Sequence, residues 1–120
     1  MATFTKVKLS ESTDGRPIKI ANTATSGTLI HTGSTTSSTY DEVWLYAVNS
    51  SASSVKLTVE WGGTTDPDDL IELTVLPEAG LVTIAPGLLI KGNATALEVR
   101  AFAATANVIT MHGFVNQITV

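Results

Sequence analysis

The sequence predicts an all-β domain: an antiparallel β-sandwich of jelly-roll-like type, with an immunoglobulin-like sandwich as the alternative. Three observations lead there. Short runs of alternating apolar and polar residues recur along the chain, separated by clusters of Gly, Pro, Asn, Asp and Ser. No stretch carries sustained helical periodicity with caps. Charged residues make up only 15%, against about 25% in an average soluble domain. Thr and Ser take their place, and these suit strands and turns respectively. About eight strands after the N-terminal segment would fill two sheets packed face to face.

Residues 1–26 form a segment of their own ahead of a sandwich domain at 27–120. Thr3 to Leu9 alternates as a strand does. Ser12-Thr13-Asp14-Gly15-Arg16-Pro17 is a turn signal. Pro17 to Ile20 is a short strand that its proline assigns to a sheet edge. The segment is either a first edge strand or an arm that reaches a neighbouring subunit. In the second reading Phe4, Val7, Ile18 and Ile20 are the candidate partner contacts. Thr28 to Thr32 is a further strand, and Gly33 to Thr39 a flexible, low-complexity loop.

The stretch from Tyr40 to Gly63 organises the rest. Val43, Leu45 and Ala47 alternate with Trp44, Tyr46 and Val48, so the first arm is apolar on both faces and is expected to be covered on both. In the second arm Val55, Leu57, Val59 and Trp61 alternate with Lys56, Thr58 and Glu60, which predicts one wet face. The polar run Asn49 to Ser54 joins the arms as a hairpin turn. Trp44, Tyr46, Leu57, Val59 and Trp61 are the expected core anchors, because aromatic residues dominate the energetics of small cores.

Gly62 to Asp69 is a loop packed with turn formers. Leu70 to Leu76 is the next strand, and Pro77 to Gly80 a turn. Leu81 to Ala85 and Leu88 to Lys91 are short strands with a break at Pro86-Gly87. After the Gly92-Asn93 turn, Ala96 to Ala103 alternates again. The last strand is expected over Val108 to Val115, with a short tail to Val120.

The composition excludes several functions. The chain has 120 residues, one domain's worth, a net charge of −4 and a pI near 4.9. It has no electrostatic reason to seek nucleic acid or an anionic membrane. There is no cysteine, hence no disulfide or thiolate chemistry. No apolar window approaches the roughly 20 residues of a membrane helix, and no signal-peptide pattern opens the sequence, so synthesis in the cytoplasm is expected. Low charge is also a mild pointer to a surface covered by other subunits.

No chemical motif stands out. Asp66, Asp68 and Asp69 with Glu60 could offer oxygen ligands, but Asp-Pro-Asp-Asp lacks the alternation and glycine of a calcium loop and reads as a solvated turn. His31 and His112 lie far apart without further ligands at metal spacing. No serine occupies a nucleophile elbow, and Gly62-Gly63 lacks a phosphate loop's lysine. Glu60 and Glu98 could pair as glycosidase carboxylates only in the sense that any acidic sequence permits it. Trp44, Tyr46 and Trp61 could form a sugar platform, against which core anchoring is the preferred reading. The expectation is therefore no enzyme, no cofactor and no metal.

Five stretches carry a resemblance: Asp41 to Asn49, Leu57 to Gly63, Ile84 to Gly87, Ala101 to Ile109 and Gly113 to Asn116. Over residues 40–116 or so the chain resembles small cysteine-free structural proteins of tailed bacteriophages, above all the capsid decoration or cement proteins. The resemblance implies a β-sandwich subunit, commonly a homotrimer, bound to the major capsid protein on the outside of the head and clamping it against internal pressure. It implies a virion location and no catalytic residues. The competing reading is a carbohydrate-binding or host-adhesion module of a tail or fibre, which would expose the aromatic cluster where a decoration protein would bury it.

Overall fold

The computed structural model describes residues 2–120, and among these there are nine strands and no helix. They are β1 (Thr3–Lys8), β2 (Ile18–Lys19), β3 (Thr28–Thr32), β4 (Thr39–Asn49), β5 (Val55–Trp61), β6 (Leu70–Val75), β7 (Val82–Lys91), β8 (Glu98–Ala103) and β9 (Ile109–Thr119). Two antiparallel sheets pack as a β-sandwich. Sheet A has the order β1-β9-β4-β7, with β2 also paired to β9, and sheet B the order β3-β8-β5-β6.

Of the sequence-adjacent strands, only β5 and β6 share a ladder; the connections after β2, β3, β4, β6, β7 and β8 each cross between sheets. The expected hairpin at Tyr40 to Gly63 is thus corrected. β4 belongs to sheet A and β5 to sheet B, and Asn49 to Ser54 arches from one to the other. The physical reason lies in the two apolar rows. Val43, Leu45 and Ala47 of β4 and Val55, Leu57 and Val59 of β5 all point into the same interior, and facing each other across it buries both completely. Asn49 shapes the arch: its side-chain amide donates to Ser53 O and Val75 O, and its Oδ1 accepts from the Ser51 amide.

The core is aliphatic. Leu9, Ile20, Ile30, Val99, Ile109, Met111 and Val115 join those rows, and no aromatic ring is fully buried. Each such Val, Leu or Ile contributes about 1.5–3 kcal/mol of transfer free energy. Leu57 and Val59 are core residues as expected, whereas Trp61 is half-buried at its rim. Trp44 and Tyr46 are corrected: β4 buries alternate residues from Thr39 to Asn49, which turns Trp44 and Tyr46 to the outer face of sheet A.

Three further expectations change. The wet face of β5 is covered, with Thr58 and Glu60 buried, because the chain between β2 and β3 lies over sheet B. Gly27 permits this approach, since a Cβ there would collide with the Ala101 backbone. β7 runs unbroken through Pro86-Gly87 with shifts of register against β4; Pro86 is tolerated because β7 is an edge strand. β9 continues past Val115 to Thr119, so Ile118 is paired to both Phe4 and Tyr40.

In residues 1–26, β1 and β2 line one edge of sheet A. Ile20 is fully buried in the core and is unavailable to a partner, and Val7 and Ile18 pack against that core; Phe4 is 70% exposed. The connection from β1 rests on β3 through Glu11 N donating to Ile30 O and Thr32 N donating to Ser10 Oγ. β1, β2 and β3 therefore share one side of the sandwich, and β6 and β7 the other.

Candidate functional site

The outer face of sheet A collects most of the aromatic residues. Cross-strand register aligns Phe4 with Ile118 and Tyr40, Lys6 with Asn116 and Glu42, Phe114 with Trp44, and His112 with Tyr46. Trp44 and Phe114 stack with centroids 5.9 Å apart and planes 7° from parallel. The Lys6 ammonium lies 4.3 Å from the centre of the Phe114 ring, on the β1 side. On the other flank Gly87 of β7, at φ +85, leaves room for the Trp44 ring: a Cβ there would come within 3.1 Å of it. Lysine, phenyl ring, indole and glycine thus form one layer across all four main strands. Trp44 Nε1 donates to Glu42 Oε1 at 2.7 Å, and Asn116 Nδ2 donates to the same oxygen at 2.9 Å. These two bonds, the Asn116 bond foremost, hold the Glu42 carboxyl below the usual carboxylate range.

This layer limits what the face can do. A sugar platform needs an open ring face, and here the faces of Phe114 and Trp44 are taken by Lys6, by each other and by Gly87.

Between the sheets, His31 of β3 meets Asp41 of β4, with Nε2 to Oδ2 at 2.7 Å and both side chains buried. Ser10 N donates to His31 Nδ1 at 3.0 Å. The ring proton therefore resides on Nε2 and is donated to Asp41, whose Oδ1 also accepts from Gln117 Nε2. A His–Asp pair invites comparison with a catalytic dyad, but Nδ1 is occupied by a backbone amide and has no route to a nucleophile. It is a polar clasp between sheets. His112 stands apart, half-exposed beside Tyr46.

On the outside of sheet B, Glu60 accepts from Gly27 N at 2.7 Å and from the Thr25 hydroxyl. A depression of about 230 Å³ opens beside it, lined by Thr25, Asp66, Leu70 and Phe102 among others. In the acidic loop Asp69 Oδ2 accepts from Thr65 N, as turn chemistry requires. No group of three or more His, Cys, Asp or Glu residues gathers around a metal-sized space among the described residues. Glu60 and Glu98 lie on different strands, and Glu98 is spent on Arg100.

What remains is a set of exposed apolar side chains. Leu76 and Leu81 flank the turn between β6 and β7, and Leu88 and Leu89 stand on β7, with Leu81 at 61% and Leu89 at 55% exposure. Sequence patterning missed them because each belongs to an apolar strand run; only the sheet order reveals that β7 has no neighbour beyond it. No helix among the described residues is long and apolar enough to cross a membrane. No family model matches the chain, and comparisons with curated proteins and with solved structures find no match.

Proposed function

We propose that the chain is a non-enzymatic structural subunit that works as a homo-oligomer, and that its place is the outside of a tailed-phage head as a decoration or cement protein. The observation that supports this best is the exposed leucine set along β7 and its turn, on a protein whose buried side-chain polar atoms, among the described residues, are internally satisfied. Exposed apolar side chains along a free sheet edge are candidate points of protein association. The aromatic cluster lies on the outer face of sheet A, the placement expected of the adhesin. The stacked rings of Trp44 and Phe114, with Lys6 on Phe114, nevertheless leave less ring face open to a sugar. The trimer and the major capsid protein as partner come from the resemblance at residues 40–116. A binder that prefers the assembled shell stabilises it by mass action, and an oligomer multiplies weak contacts through effective concentration.

Light scattering and co-sedimentation test the proposal. The expected result is a multimer at micromolar concentration that pellets with expanded, undecorated heads. A lone 12.6 kDa chain that ignores such heads would remove the reading, and binding to glycans in its place would install the adhesin.

A further inference from the structure

We infer that the sandwich associates head to tail with copies of itself, the β1–β2 side of one subunit docking on the β6–β7 side of the next. The inference rests on reading the chain as a self-associating structural subunit and is independent of which larger assembly it serves.

Sheet A ends in two strands with a free edge, β1 and β7. Every adjacent pair in the order β1-β9-β4-β7 is antiparallel, so β1 and β7 run in opposite directions. A β7 edge laid beside a neighbour's β1 therefore meets it antiparallel, and sheet A continues from one copy into the next. The levels also agree. Through β9 and β4, Phe4 is level with Lys91, Lys6 with Leu89 and Val7 with Leu88. Apposition without sliding sets Leu89 of one copy opposite Lys6 of the other, with exposed Phe4 two residues along on the same face, opposite Lys91.

Charge favours this pairing. The β1–β2 side carries exposed Lys6, Lys8, Arg16 and Lys19 against exposed Glu11 and Asp14. The β6–β7 side carries exposed Asp66, Asp68 and Glu78, with Glu72 paired to Lys56 and Lys91 exposed on β7. Lys19 pairs with Thr110 and hence aligns with Val48, beside the Ala47–Val82 level where the Glu78 turn enters β7. Head-to-tail contact brings Lys19 and Glu78 to the same end of the sandwich, while Asp66 and Asp68 lie at the other end. Lysines on an edge strand ordinarily discourage pairing with an arbitrary edge; here they select an acidic partner side. A two-fold β7–β7 contact would cover the leucines yet leave the basic side without a counterpart. Head-to-tail contacts are heterologous and close into a ring where the rotation closes.

The test uses full-length protein and two surface variants, each first checked by circular dichroism for the β fold. One carries Leu81→Ser and Leu89→Ser on the β7 side, the other Phe4→Glu and Lys8→Glu on the β1 side. Sedimentation should show each variant self-associating at least about tenfold more weakly than the parent. Mixed together, they should form a one-to-one pair and nothing larger, because one intact surface of each kind remains. Continued self-association of the β1 variant overturns the inference in favour of a two-fold contact. Parental association by both variants overturns it while leaving the structural-subunit reading intact. A parent chain that stays monomeric removes both.

Discussion

Trp44 and Phe114 stand on neighbouring strands of sheet A with ring centroids 5.9 Å apart and planes only 7° from parallel. A stack of this geometry is worth about 0.5–1.5 kcal/mol beyond burial. Trp44→Leu, Phe114→Leu and the double variant, compared by urea unfolding, should give a coupling energy in that range. Strict additivity would mean that the rings are neighbours without being partners.

Gly87 borders the same stack from the β7 side. At φ +85 it holds a backbone conformation that L residues avoid, and a Cβ would press on the indole at 3.1 Å. Gly87→Ala should therefore cost about 1–2 kcal/mol from the backbone alone, with a shift in tryptophan emission as Trp44 moves. Unchanged stability and emission would show that β7 adjusts freely at this point.

The clasp between sheets makes a different kind of prediction. Removing His31 leaves the Asp41 carboxylate buried with Gln117 as its remaining side-chain donor. His31→Leu should cost about 3 kcal/mol or more, as loss of one partner of a buried pair does. Adding Asp41→Leu should recover part of that loss, since neither polar group is then stranded. A double variant as unstable as the sum of the singles would show that the pair is two independent contacts.

How much of this was legible in the sequence depends on whether a feature is local. Alternation along β4 and β5 is local, and it marked Leu57 and Val59 as core and the chain as a sandwich. Which sheet a strand joins is not local: the same Asn49 to Ser54 run serves a hairpin or an arch, and only the facing rows of Val43, Leu45 and Leu57 choose the arch. Trp44 and Tyr46 alternate with equally apolar residues, so the pattern left both faces eligible for the core. The smaller Val43, Leu45 and Ala47 took the interior and sent the rings outward. Glu60 read as wet because the cover over it comes from residues 22–27, which carry no apolar signal and reach it through Gly27 and Thr25. The exposed leucines were hidden because each sits in an apolar strand run; Pro86 within the β7 run is the one edge signal, and Pro86-Gly87 also reads as a break in the strand.

The last prediction concerns pH, through two exposed groups that shift in opposite directions. Asn116 and Trp44 donate to Glu42 and hold its carboxyl below the ordinary value, which is about 4.3 in an unfolded chain. The folded state thus takes up this proton less readily than the unfolded state. Its contribution is present above that ordinary value and is lost as pH falls through the lower folded one. Lys56 is the mirror case. The hydrogen bond and charge of Glu72 raise its ammonium above the ordinary value, about 10.4, so its contribution is present below that value and is lost as pH rises through the higher folded one. Urea midpoints measured against pH should accordingly fall at both extremes. Glu42→Gln should lessen the acid loss, and Lys56→Met the alkaline loss. Both effects should be small and should shrink in high salt, because surface charges are screened within about 10 Å at 0.1 M ionic strength. An acid limb unchanged in Glu42→Gln would show that the Asn116 and Trp44 bonds do not favour the ionised carboxylate, and the polar edge of the aromatic layer would lose its stabilising role.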